Sequence, residues 1–341
     1  MPVASTFPVR TPAWTLSYKG VAIAAAIEKM VLSMTYTSHA GSAAPELEFE
    51  LEDRDKRWQG PWFPTRGDIV TGSIGYAGEQ LISCGSFQVD EVELRGAPDR
   101  VHMRCLAAFL TDAMRTPNQI SYESTTLLGI AGQIAKKHGL TLVGAAVSPD
   151  VSFDHKTQRM ETDLEFLHRI AEEHNYEFNV RGTKLVFYSR PALEQMPSIA
   201  LIQRADVISF EFKAKTRRIY KAAQVSYQDP ATKSLITQTA TGSSPTGDTL
   251  KLVRRCENGQ QAALKASAAL HRHNMLQVTG RLKGPGTTAI AAGRIVTCSG
   301  FGKFDGDFYV ETARHQLKTS SGYTSEFELR STTGSEDGSA N

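Results

Sequence analysis

Cysteine is scarce in this chain of 341 residues: Cys84, Cys105, Cys256 and Cys298 stand far apart, with no C-x-x-C pair. That spacing excludes the usual zinc modules and disulfide scaffolds and leaves buried, reduced thiols in a reducing compartment as the reading. Long apolar runs are also missing. No stretch of about twenty apolar residues exists, so no membrane-spanning helix is expected. GVAIAAAI, from Gly20 to Ile27, has the look of a signal segment, but nineteen residues with three prolines precede it and Glu28 and Lys29 follow at once. A soluble chain without direct membrane insertion is expected. Excess charge of one sign is the third absence: 38 basic residues face 36 acidic ones. A dedicated nucleic-acid binder would carry a basic surplus, so no stable nucleic-acid binding is expected.

Catalytic signatures are lacking as well. There is no G-x-S-x-G elbow and no phosphate loop, and GFGKFDG misses the dinucleotide spacing. HRIAEEH resembles a metal helix, yet His168 and His174 are six residues apart and point to different faces of a helix. The two histidines of HRH, His271 and His273, are also wrongly placed for chelation. No catalytic residue, metal or cofactor is assigned, and the chain is not expected to be an enzyme.

What is present is a repeat. GDIVTGS (Gly67 to Ser73) returns as GRIVTCS (Gly293 to Ser299). Downstream of each copy comes G-x-F-x-V-acid: Gly85, Phe87, Val89, Asp90 in the first and Gly306, Phe308, Val310, Glu311 in the second. The spacings between the two glycines differ by five residues, the size of a turn. The chain is expected to hold one β unit twice.

The first unit reads as strands from about Trp14. In PELEFELED, Leu47, Phe49 and Leu51 alternate with glutamates at the period of two of a half-buried strand. FQVDEVEL continues with a one-residue slip that a bulge would absorb. The middle changes period. SYESTTLLGIAGQIAKKHG sets Leu127, Leu128, Ile130, Ile134 and Ala135 on one helical face, with Ser124 or Thr125 as cap and Gly139 as stop. TDLEFLHRIAEEHN opens with Thr162 and Glu165 at capping-box spacing. IAKKHGLTL and IAEEHNYEF echo one another, and Lys136–Lys137 could pair with Glu172–Glu173. YEFNV-RGTK-LVFYS reads as a hairpin. Strands return from about Ile199, interrupted by GSSPTGD and one helix that offers Ala263, Leu264, Ala268 and Leu270 for packing. The expected division is a β domain over 1–117, an α+β insert over 118–198, a second β domain with one helix over 199–332 and a disordered polar tail over 333–341. The class is α+β, mainly β.

Two stretches stand out as contact candidates. WQGPWFPTRGD gathers Trp58, Trp62 and Phe63 in a Pro/Gly loop, which calls for packing on its own unit or for a subunit or partner interface. The ladder Glu46, Glu48, Glu50 and Glu52 is a wet strand face of one sign; facing a channel, it would keep a passing polyanion from sticking.

LEDRDKRWQGPWFPTRGD, SCGSFQVDEVE, the two I-A-x-x-H helices and METDLEFLHRIAEEHNYEFNV together resemble the phage late control D protein family. These are tail hubs of contractile phages and phage-like particles, related to the gp27-type hub and to the base of valine-glycine-repeat spike proteins. The resemblance spans about Trp14 to Ser331. It implies two homologous tube-type antiparallel β-barrels per chain and a homotrimer whose six barrels adapt a six-fold tube to a three-fold spike. It further implies a place in the tail baseplate of a particle assembled in the bacterial cytoplasm. Spike, tube or tube-initiator and other baseplate proteins are the implied partners, with DNA or cargo passing through the channel. Related spike proteins continue into further domains, so spike and wall-cutting activities are expected on other chains. A baseplate peptidoglycan hydrolase is the rival reading, without a paired-carboxylate or Cys-His site to support it. A DNA-binding late-gene regulator is disfavoured by the balanced charge and the lack of a helix-turn-helix pattern. The family carries no agreed catalytic residues.

Overall fold

The computed structural model describes residues 10–19, 21–22, 29–65, 67–107, 114, 116–145, 150–215, 219–229, 232–242 and 247–332. All of GVAIAAAI but Val21 and Ala22, the middle of GSSPTGD and the polar tail lie outside these residues.

The first unit contains β1 (Pro12–Tyr18), β2 (Val21–Ala22), β3 (Val31–His39), β4 (Glu46–Glu52), β5 (Ile69–Tyr76), β6 (Ile82–Arg95) and β7 (Arg100–Ala107). Alternation does what the pattern predicts: on β4, Leu47, Phe49 and Leu51 are buried and the four glutamates are half-exposed. The core they join includes Met34, Val70, Phe87, Val89, Met103 and Cys105.

The insert runs β8 (Asn118–Thr126), α1 (Leu127–Lys137), β9 (Thr141–Ala145), β10 (Ser152–Glu161), α2 (Asp163–His174), β11 (Tyr176–Arg181), β12 (Lys184–Ser189) and α3 (Arg190–Glu194). The echo of the two I-A-x-x-H segments is a repeated strand–helix–strand. β8 pairs with β10, while β9 and β11 flank β12 on its two sides. The cap of α1 is Thr126, whose Oγ1 accepts from the Gly129 amide at 3.1 Å. Ser124 and Thr125 belong instead to β8, whose pairing with β10 runs to Thr126, with Ser124 itself turned into the left-handed region (φ 44°). Thr162 and Glu165 close the capping box of α2, and Gly139 (φ 67°) and Asn175 (φ 61°) supply the left-handed stops. The charge runs do not pair with each other. Lys137 binds Asp163, whereas Glu172 and Glu173 bind Arg190, Arg272, Lys156 and Lys265.

The second unit comprises β13 (Ser198–Gln203), β14 (Ser209–Ala214), then β15 (Tyr220–Gln228), β16 (Leu235–Thr241), β17 (Asp248–Val253) and α4 (Gly259–Asn274). It ends with β18 (Val278–Pro285), β19 (Ile295–Ser299), β20 (Gly306–Lys318) and β21 (Gly322–Ser331). Strands β15 to β17 form a sheet of their own, apart from the other strands of this unit. Helix α4 covers that sheet with Ala262 and Ala266; of the residues expected to pack, Ala268 and Leu270 are buried, whereas Ala263 is exposed and Leu264 only half-buried. The remaining strands of both units form one sheet of thirteen strands, ordered β14-β18-β21-β20-β3-β4-β7-β6-β5-β1-β2, with β19 and β13 branching from β20. Each unit keeps a separate core, the second around Leu282, Val296, Tyr309, Val310, Phe327 and Leu329.

Candidate functional site

The repeat is reproduced bond for bond. Val70 faces Phe87 in the first copy and Val296 faces Phe308 in the second, with Gly72↔Gly85 matching Cys298↔Gly306. The Gly67 amide donates to the Val89 carbonyl and the Gly293 amide to the Val310 carbonyl, each at 2.8 Å. Gly67, Gly85, Gly293 and Gly306 have φ of 89°, 104°, 82° and 136°, values that glycine adopts at least cost. The acid that closes each motif sits in a bulge, Asp90 between Val89 and Glu91, and Glu311 between Val310 and Thr312.

The two units meet edge to edge at β20 and β3. Past its bulge, β20 leaves β19 and pairs with β3, with Arg314 opposite Thr37, His315 opposite Tyr36 and Gln316 opposite Thr35. The His315 and Tyr36 rings stack with centroids 6.2 Å apart, and the Gln316 amide donates to Thr35 Oγ1 at 3.2 Å. The matching stretch of β6 after its bulge has no strand on its outer side among the described residues, and neither does the outer edge of β14.

The acidic ladder is paired throughout. Glu46 lies 2.6 Å from Arg104, Glu48 4.0 Å from Arg314, Glu50 3.6 Å from Arg100 and Glu52 2.6 Å from Arg54. The same face continues into Arg281 with Glu326 and Glu328. It is therefore a charge-balanced surface and not a bare negative one.

In the Pro/Gly loop, Trp58 is 8% exposed within the first unit's core and meets Trp62 edge to face at 5.6 Å. The Arg57 guanidinium lies 4.9 Å from the Trp62 ring centroid. Phe63, at 59% exposure, is the one of the three left outside. The histidines of HRIAEEH are kept apart: His168 contacts Ser42, and His174 packs on Phe153. The four cysteines are free and buried, and burial pushes the thiols of Cys84, Cys105 and Cys298 up to about 12.

One constellation had no sequence signal. Arg330 is fully buried on the β21 face turned toward the insert, with its guanidinium 4.3 Å from the Tyr309 ring centroid and hydrogen-bonded to Glu194 and Glu311. The Tyr309 hydroxyl donates to Glu177 at 2.7 Å, and Arg190 reaches Glu177 at 3.1 Å and Glu172 at 2.5 Å. This knot ties α3, β11 and the end of α2 to the second unit. A cleft of about 960 Å³ between the insert and the α4 layer is lined with charges, many of which pair with one another, as Lys156 and Lys265 do with Glu173.

The model of the phage tail baseplate hub (GPD) family matches residues 83–321. The chain belongs to that family. It is 35% identical over 177 residues to a probable baseplate hub protein of Escherichia phage P2. That match covers 52% of this chain and 45% of the relative, so it spans about half the relative's length. The fold is shared with the 43 kDa tail protein of prophage MuSo2 from Shewanella oneidensis, at a TM-score of 0.71 and 14% identity over 94% of this chain and 98% of that one. It is also shared with the E. coli c3393 protein, described as a type VI secretion component similar to T4 tail proteins gp27 and gp5. There the TM-score is 0.58 at 13% identity, covering 92% of this chain and 76% of that one.

Proposed function

We propose that this chain is the structural hub of a contractile phage tail or phage-like injection particle, a homotrimeric ring that adapts a six-fold tube to a three-fold spike. The observation that carries this reading is the β20–β3 junction, where two units of identical register join head to tail within one chain. A head-to-tail contact repeated between chains closes a ring when its rotation allows. Three chains supply six such units, each read as one tube-type barrel. Tube or tube-initiator, spike and neighbouring baseplate proteins are the partners, and the particle's baseplate is the location. The paired ladder face lines the bore, where its balanced charge lets DNA or cargo slide past. The role is geometric, and a zymogram on peptidoglycan should show no clearing.

The test is the composition of purified particles. Three copies of this chain per spike trimer are expected, and a chain missing from the particles would overturn the reading.

A further inference from the structure

The junction inside the chain is a template for the junction between chains. Thr312 follows the bulge of β20 as Glu91 follows that of β6, so Arg314, His315 and Gln316 correspond to Glu93, Leu94 and Arg95. Likewise Leu47 of β4 and Gly280 of β18 hold equivalent places, opposite Cys105 and Leu329. Tyr36 faces Leu47 and Phe212 faces Gly280, which makes Thr35, Tyr36 and Thr37 the counterparts of Glu211, Phe212 and Lys213. Inside the chain these two triplets are paired. Their counterparts on β6 and β14 are both free edges among the described residues.

We infer that β14 of one copy adds to the outer edge of β6 of the next, antiparallel, with Leu94 opposite Phe212, Glu93 opposite Lys213 and Arg95 opposite Glu211. This rests on the ring proposed above and names the surfaces that build it. The side chains fit in three ways. Leu94 is 54% exposed on β6, and Phe210 is 43% exposed beside Phe212 on β14, so apolar groups lie bare on both edges. Glu93 and Arg95 now pair with each other at 2.6 Å, and Lys213 and Glu211 do so at 2.9 Å. In the inferred register, each charge meets its opposite across the strands, which favours pairing and penalises slippage by one residue. An unpaired edge is itself a template for another strand, and the two edges are found on every copy.

The test uses the full chain with Glu93→Cys and Lys213→Cys together, at high concentration under mild oxidation. A covalent ladder ending in a closed trimer is expected on a non-reducing gel. Glu93→Cys with Ser209→Cys, four residues out of register, should give at least tenfold less. Reversing one edge (Glu93→Lys with Arg95→Glu) should abolish the oligomer in light scattering. Adding Lys213→Glu and Glu211→Lys should restore it, which separates edge pairing from misfolding. A trimeric mass without the Glu93–Lys213 crosslink would overturn this pairing while leaving the hub reading standing. A chain that stays monomeric at every concentration, or a reversed edge that assembles like the wild type, would overturn it too.

Discussion

His315 lies where the two units meet, stacked on Tyr36, with Nδ1 3.0 Å from both the Tyr323 hydroxyl and Ser325 Oγ. Burial lowers its pKa to about 4, and burial lowers that of His174 to about 3. Both folded values lie below the ordinary 6.5 of the unfolded chain, so the neutral rings contribute stability that is complete above about 6.5 and is lost as pH falls toward the folded values. Each adds a slope of about 1.4 kcal/mol per pH unit inside its window. The melting temperature should therefore drop on acidification from pH 6.5 to pH 4, and His315→Gln should flatten that drop. Asp163 is a second critical residue. It accepts from Lys137 Nζ at 2.7 Å and from Gln158 Nε2 at 2.9 Å, and lies 2.6 Å from His138 Nε2. Burial alone would raise its pKa, but these hydrogen bonds outweigh that and hold it below the usual carboxylate range. Asp163→Ala strips the partner from buried Gln158 and His138 and from half-exposed Lys137 at the meeting of α1 and α2, and should cost about 1–3 kcal/mol in denaturant unfolding. At Gly144 the limit is space: an added Cβ would fall 2.3 Å from the Phe187 carbonyl oxygen. Gly144→Ala should force β9 off β12 and lower the melting temperature by several degrees.

Among the elements, β4 shows how one strand serves two surfaces. Its apolar side holds the first core together, and its acidic side meets arginines from β7, from β20 and from the loop after β4. Exposed pairs of this kind contribute little stability, roughly 0–1 kcal/mol each. Their effect is on the field. Replacing Glu46, Glu48, Glu50 and Glu52 together with Gln leaves Arg54, Arg100, Arg104 and Arg314 without counter-charges. A gel shift with duplex DNA should then show salt-sensitive retention that the wild type lacks, whereas unchanged mobility at low salt would show that the ladder does not set the field.

At the scale of the molecule, the thirteen-stranded sheet couples two cores through the β20–β3 seam, and the Arg330 knot locks the insert onto the second unit. Light scattering of the purified chain at high concentration should give a mass near 112 kDa, three times 37.3 kDa. A mass of one chain at every concentration would count against the pairing of β14 with β6 between copies.

The sequence by itself determined several features that depend on near neighbours along the chain. The inward side of β4 follows from alternation, the α2 box from Thr162 and Glu165, and the bulge at Asp90 from the slip in FQVDEVEL. The doubled unit could be read because its glycines and its Phe-x-Val motif recur at matching places. Only the tertiary structure decided which distant groups meet. Nothing in PELEFELED announces four arginines from three separate segments, and the period of TSEFELR does not say that Arg330 is buried against Glu194 and Glu311. That Ala262 and Ala266 of α4 meet a sheet, while Ala263 does not, was likewise set by the separate sheet the helix covers. Periodicity reports which way a side chain points; what it then touches depends on strand order, and that is fixed by pairings between residues as far apart as Tyr36 and His315.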